Sequence, residues 1–344
     1  MDKQLNVVVV GIGHSHAEGV VGELIQKNNP FNIIGYVEKN ESIVKEKVTD
    51  DSVFKNLIRL DENDVLNGKY IIDGVIVEST MDCIVENCIK YLKLGVPIHA
   101  DKPTGLDNDF LNFMDESKEK NIPVQLGYMY RYSPQILELK KQIANDKIGT
   151  IARFDVTMDT DLSINNRKIL IKPYTGGAMY VYGSHILDIV TSIVGFPAST
   201  YTFYGRSGFD NLDITDSSIC VLDYGYFAAT LKTSAVSANG FLRRHLDIAG
   251  CNGQITIEPM EKPTVMKYTK RKPGGNGGDG SKIVSEDISL DLYNCKRRYQ
   301  LMMQNFAYLI QGKDDSLYVK VDYEYEKKLH KLLLNIVNQS ISNF

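Results

Sequence analysis

Apolar positions change their period midway along the chain, and that change divides it. Val7 to Val10 is an unbroken β-branched run, the mark of a strand buried on both faces, and Gly11-Ile12-Gly13 follows at once. Ala17, Val20, Val21, Leu24 and Ile25 then recur at helical spacing, so the glycine turn opens directly into a helix. Residues 32–37 read as a second strand ending at Glu38, about 25 residues past the turn. Buried runs at 71–77, 97–100 and 123–126 follow, separated by a polar helix at 41–48, a helix carrying Ile84, Val85, Cys88, Ile89 and Leu92, and one with Phe110, Phe113 and Met114 inward. Five strands alternating with helices predict a parallel doubly wound α/β domain, a Rossmann fold, over residues 1–126.

Past Gly149 the pattern turns strand-like, at 150–158, 199–206, 217–222, 226–236, 245–249 and 254–258, with Asp223-Tyr224-Gly225 as a hairpin turn. One helix interrupts these runs at 177–194. Two close the chain, at 297–311, with Tyr299, Met303, Phe306 and Ile310 on one face, and at 322–339. Locally joined strands predict an α+β domain over 127–322, an open and largely antiparallel sheet with helices on one face. Residues 323–344 are expected to form a helix packing back on the nucleotide domain. The glycine-rich stretch Pro273 to Ser281 lacks the strand and helix of a phosphate loop and is expected to be a mobile hairpin end.

Length and charge narrow the class. A chain of 344 residues is long enough for two domains with real cores, and a net charge of -4 fits a soluble globular protein. Lys270-Arg271-Lys272 is too short a basic run to track phosphates, so no nucleic-acid partner is expected. No apolar run approaches membrane-spanning length and no leader precedes the first strand, so the expected location is the cytoplasm, with no membrane partner. The five cysteines, at 83, 88, 220, 251 and 295, show no C-x-x-C pair and read as reduced thiols.

The first chemistry lies at the glycine turn. A helix N-terminus directly after a buried strand offers unpaired amides and a positive dipole end to a diphosphate, which makes Gly11, Ile12, Gly13, His14, Ser15 and His16 cofactor candidates. Glu38 would accept from adenosine ribose hydroxyls and repel a 2′-phosphate, favouring NAD over NADP, with Lys39 beside it weakening that preference. The third glycine of the usual fingerprint is replaced by His16. His14 and His16 lie two apart with no cysteine or carboxylate at a familiar metal spacing, so they read as turn and helix-cap residues, and no metal site is expected. Lys102 falls at a strand end, where ligands bind in open α/β sheets. His185 lies on the 177–194 helix with Val181 and Asp188 on its stripe, opposite an apolar face of Tyr182, Ile186, Ile189, Val190 and Ile193, after a Gly176-Gly177 entry that would let backbone approach a ligand.

These motifs resemble, in order and over nearly the whole length, those of the glucose-fructose oxidoreductase, inositol dehydrogenase and rhizopine catabolism (Gfo/Idh/MocA) family. Gly11 to His16 looks like its nucleotide turn, Asp101-Lys102-Pro103 like its E-K-P motif, and Gly127 to Pro134 like its G-F-x-x-R-F-x-P segment. Gly176-Gly177 through Gly183, His185 and Asp188 looks like its histidine helix, and Gly250 to Ile255 like its G-T-x-G-x-L segment. The resemblance implies an NAD(P)-dependent oxidoreductase acting on a sugar, cyclitol or polyol. It implies Lys102 beside the nicotinamide, His185 as acid/base, Arg131, Asp188 and Tyr182 as substrate contacts, and Ser79, Thr80 and Asp101 among the cofactor contacts. It also implies a homodimer or homotetramer through the open face of the second sheet, where the apolar residues of 226–236 would otherwise be exposed. This chain departs from the pattern at Met81, at Val85, at Asp101 for glutamate, and at Val181, where many relatives carry an aspartate. Without that carboxylate an imidazolium at His185 is less stabilised. Two other readings follow: a cofactor-bound sensor without turnover, and a glycosidase that uses held NAD to oxidise and restore a sugar carbon.

Overall fold

The computed structural model describes residues 4–261, 264–271, 285–290, 297–313 and 319–339. The chain forms two compact units, Met1–Ser133 with Cys295–His330, and Pro134–Asn294 with Lys331–Phe344.

The first unit alternates strand and helix: β1 (Leu5–Val10), α1 (Ala17–Leu24), β2 (Phe31–Val37), α2 (Glu41–Lys47), α3 (Glu62–Leu66), β3 (Gly74–Val77), α4 (Ile84–Tyr91), β4 (Ile98–Ala100), α5 (Asp109–Glu119) and β5 (Val124–Leu126). All five strands run parallel in the order β2-β1-β3-β4-β5. The order reverses beside β1, and the carboxyl edge at that reversal is where such sheets open a crevice for ligands. Val7, Val8 and Val9 are fully enclosed, as the continuous β-branched run requires. Val9, Ile12, Ala17, Val21, Tyr36 and Phe54 form one core cluster that fixes the turn and the start of α1 against the sheet.

The second unit contains α6 (Pro134–Ala144), β6 (Ile151–Asp159), α7 (Ile164–Leu170), α8 (Ser184–Val194), β7 (Ser199–Gly205), β8 (Ser217–Asp223), β9 (Ala228–Ser234), β10 (His245–Gly250), β11 (Gly253–Ile257), β12 (Met266–Lys270) and β13 (Ser285–Asp287). Its sheet runs β13-β12-β11-β10-β6-β9-β8-β7, antiparallel except where β6 lies parallel to β9. The predicted fold class therefore holds in both halves.

Two later helices close the account, α9 (Gln300–Gln311) and α10 (Tyr323–Asn338). Residues 295–322 were expected with the second domain, but α9 belongs to the first unit. Phe306 stacks on Phe31, and Asn305 donates from Nδ2 to Gln125 Oε1 at 2.7 Å, so the apolar face of α9 covers the nucleotide sheet. α10 is divided. Tyr323 donates its hydroxyl to the Ile122 carbonyl at 2.9 Å within the first unit, while the Ile336 carbonyl accepts from the Tyr204 hydroxyl at 2.6 Å within the second.

One expectation about the sheet's faces changes in part. In 226–236 the apolar side chains Ala229 and Leu231 point inward and are buried, leaving Ala228, Thr230 and Lys232 on the other face. Tyr226 alone of that stretch's large apolar residues is strongly exposed, at 74%, and Tyr201, Phe203 and Ile219 on β7 and β8 are exposed as well. Cys83, Cys88, Cys220 and Cys251 are free, as expected. Cys295, Lys272 and the glycine-rich stretch 273–281 lie outside the described residues. Among the described residues no helix is long and apolar enough to cross a membrane.

Candidate active site

In the first unit the site is built where β1, β3 and β4 end. Gly11 has φ +74°, and a Cβ there would lie 2.4 Å from Ser79 Oγ, so only glycine lets the turn close against the end of β3. A Cβ at Gly13 would lie 2.8 Å from Thr80 Cγ2. Ser79 and Thr80 thus form the wall of the turn, and Asn87 on α4 donates to Ser79 Oγ at 2.7 Å. Ser15 is exposed at the head of α1. The Glu38 carboxylate accepts from the Ile12 amide at 3.2 Å and the Asn40 amide at 2.9 Å, so the acid at the end of β2 reaches the mouth of the turn. A cleft opens here, lined by Gly11, Glu38, Ile43, Thr80, Asn87 and Lys90 among others. Its place at the switch point suits the adenosine and diphosphate of a dinucleotide. Lys39 pairs with Glu62, which also takes Lys90 at 3.3 Å, and Arg59 pairs with Glu41 at 2.7 Å. The cations around Glu38 are therefore each matched by a carboxylate.

Deeper in the turn, the histidines differ from expectation. His16 occupies the N-cap position of α1 but makes no side-chain cap hydrogen bond. Its Nδ1 lies 3.0 Å from Asp101 Oδ2, and His14 Nδ1 lies 3.1 Å from the same oxygen. The carboxylate missing near the pair in sequence is thus delivered by β4, where no local spacing could reveal it. Gly127 covers Asp101 so closely that a Cβ would sit 2.8 Å from Oδ1. Two further groups that sequence reasoning missed complete the cluster. Glu78 Oε2 lies 3.8 Å from His14 Nδ1, and Glu78 Oε1 lies 3.7 Å from His99 Nε2. An acid closing the all-apolar run Gly74–Val77 was the one available signal for Glu78.

Burial lowers His16 and His99 each to about 4, with the Asp101 charge opposing the shift. Burial also opposes ionisation of Asp101, but the charges and hydrogen bonds of His14 and His16 outweigh it and hold Asp101 well below the usual carboxylate range. Glu78 is pushed well above its ordinary value by burial and then by the Asp101 charge. The two carboxylates share one region and are shifted in opposite directions. Lys102 follows Asp101, donates its amide to Asp101 Oδ1 at 2.7 Å, and is itself buried, beside a cis bond to Pro103. Arg131 makes a two-pronged ion pair with Glu326 of α10, at 2.9 Å through Nη2, with its guanidinium 4.7 Å from the Tyr128 ring centroid. The residue expected at the substrate is thus also a structural clamp.

In the second unit, Gly176 and Gly177 have φ +80° and +51°, and a Cβ on Gly177 would lie 2.0 Å from the Thr215 carbonyl oxygen. The glycine pair serves a close approach of the chain to itself, through the Ala178 amide on the Thr215 carbonyl at 3.0 Å. A π-helical turn, Met179–Gly183, then leads into α8. That wider turn changes the helical phase ahead of His185. Tyr180 and Val181 are buried and Tyr182 is half-buried, the reverse of the apolar face assigned to Tyr182 from 3.6-residue spacing. His185 and Asp188 are both buried, so the polar stripe does not face solvent.

With this geometry, residues 136–256 match the profile of the GFO/IDH/MocA C-terminal domain. Over those residues the chain is similar to that family's C-terminal domain. The chain is 22% identical over 166 residues to glucose-6-phosphate 3-dehydrogenase of Bacillus subtilis, a match spanning 46% of the chain and 47% of that protein. The alignment thus spans about half of that curated relative. Its fold is that of myo-inositol 2-dehydrogenase from Lactobacillus plantarum, with TM-score 0.74 and 19% identity over 98% of this chain and 97% of that one. An oxidoreductase from Agrobacterium radiobacter, solved with NAD+, L-tartaric acid and magnesium, shares it with TM-score 0.75 and 17% identity over 99% and 97%.

Proposed function

We propose that this chain is a nicotinamide-dependent oxidoreductase that interconverts a hydroxyl and a ketone carbon of a sugar, cyclitol or related polyol, with NAD preferred over NADP. The observation that carries the reading is the placement of Glu38 at the mouth of the Gly11–Gly13 turn, in a parallel sheet whose switch point opens beside it. Glu38 would hold the ribose hydroxyls and repel a 2′-phosphate. Lys39 and Arg59, held by Glu62 and Glu41, offer such a phosphate no unmatched cation. The nicotinamide, when bound, supplies the hydride acceptor. Lys102 would orient the reacting oxygen, and His185 would take the hydroxyl proton as the carbonyl forms.

A sugar and polyol screen for NADH fluorescence, repeated with Lys102→Ala and His185→Ala, tests this reading. Each variant should lose about 10²-fold or more in kcat. Unchanged turnover in both would remove the catalytic assignment. One observation favours a second reading, a cofactor-bound sensor: Val181, buried and apolar, stands where many relatives carry the carboxylate that would support an imidazolium. Tight NADH binding with no turnover on any substrate in the screen would favour it.

A further inference from the structure

Two of this chain's departures from its family's motifs face each other. His16 replaces the third glycine of the turn, Asp101 replaces the glutamate before Lys102, and they meet at 3.0 Å. With His14, they bring one ligand atom from each of two imidazoles and a carboxylate within 4.8 Å of one another. Donors sharing an ion at about 2.0–2.1 Å stand roughly 3.0–3.4 Å apart, and the Nδ1 to Oδ2 separations of 3.0 and 3.1 Å fall in that range.

Hydrogen bonding alone matches these contacts poorly. The His16 amide lies 3.2 Å from His14 Nδ1 in donor geometry. One ring nitrogen cannot both accept that proton and donate its own to Asp101, so one of the two contacts goes unmatched. A second observation is independent of this one. Glu78 is fully buried, and neither of its oxygens has a hydrogen-bond partner among the described residues, although Oε2 lies 3.8 Å from His14 Nδ1. Burying a carboxyl group without a bonded partner is costly, more so once it is ionised, and a dication beside it would offset that cost.

We propose that His14, His16 and Asp101 bind a divalent transition-metal ion at the head of α1, with Glu78 as the outer carboxylate. Nitrogen and oxygen donors of this kind suit zinc and its borderline neighbours, whereas magnesium prefers an all-oxygen shell. Three protein ligands leave at least one position open. His16, the least enclosed of the three, is the side from which an ion or a fourth donor would enter. The ion would tie the glycine turn to the end of β4, whichever cofactor or substrate the chain uses.

The test uses the full chain, stripped with a chelator and titrated with zinc against a chromophoric competitor, with magnesium as the control cation and cobalt as the spectroscopic probe. One equivalent of zinc should bind, magnesium should not compete, and cobalt should show visible d–d absorption. His16→Gln and Asp101→Asn should each weaken zinc binding at least ~100-fold, and Glu78→Gln should weaken it roughly 10–100-fold, as loss of an outer partner does. Circular dichroism on each variant checks that the fold persists, and His16→Gln, at the most accessible position, retains the test if Asp101→Asn does not fold. Absence of zinc binding at micromolar concentration in the wild-type chain would overturn the proposal. So would a folded His16→Gln that binds zinc as tightly as wild type.

Discussion

His330 illustrates how a single side chain sets a pH response. Its Nδ1 lies 3.1 Å from Thr104 Oγ1 and its Nε2 lies 2.7 Å from the Asp107 carbonyl, with the ring 4.9 Å from that of Phe110. Burial lowers its pKa below the ordinary histidine value, with the Asp107 carbonyl and charge opposing the shift. The unfolded chain therefore takes up a proton at a pH where the folded chain does not. Stability from this group is full above the ordinary value near 6.5 and is lost as pH falls below it. Thermal melts from pH 7.5 downward should show a fall that is shallower in His330→Gln, and parallel curves for the two proteins would contradict the argument. At the same scale, Glu38→Ala removes a carboxylate proposed to take charge-assisted hydrogen bonds worth about 1.5–3 kcal/mol each. Its NAD+ affinity should fall roughly 10–100-fold with little change for NADP+, as read by calorimetric titration.

At the scale of elements, the conformations that matter here are the ones helical spacing alone cannot give. The segment before His185 has regular apolar spacing, but Gly177 at φ +51° and the π turn after it reset the phase. Gly177→Ala combines a left-handed backbone with a Cβ 2.0 Å from the Thr215 carbonyl oxygen. It should destabilise the second unit by about 2 kcal/mol or more, seen as a lowered urea midpoint with an unchanged slope. A midpoint equal to wild type would show that Gly177 does not need its conformation. β12, α6 and α7 were not singled out in the sequence, because short half-exposed segments carry weak periodicity and take their form from neighbouring strands and helices.

For the whole molecule, the question is what covers the second sheet. Tyr201, Phe203 and Ile219 are 57%, 50% and 44% exposed on adjacent strands, in register as Tyr201 with Val221 and Phe203 with Ile219. Toward the centre the face turns polar: Asp247 accepts from Arg153 at 2.9 Å and from Thr256 at 2.9 Å. A homodimer or homotetramer is expected to bury the apolar edge, as the family resemblance implies. Light scattering at micromolar concentration should show the oligomer, and Phe203→Glu should shift it toward monomer. A monomeric wild-type chain would remove this expectation.

By itself the sequence determined the two fold classes, the glycine turn, the acid at the end of β2 and the lysine at the end of β4. Each is written in a local period or motif, and a strand's end fixes where its last side chain goes. Only the tertiary structure decided that His16 meets Asp101 from 85 residues away, with His14 beside it, and that Glu326 clamps Arg131 across 195. It also decided that α9 covers the nucleotide sheet. Those contacts depend on which strands lie side by side and on buried charges finding partners, and neither condition leaves a trace in the spacing of residues along one segment.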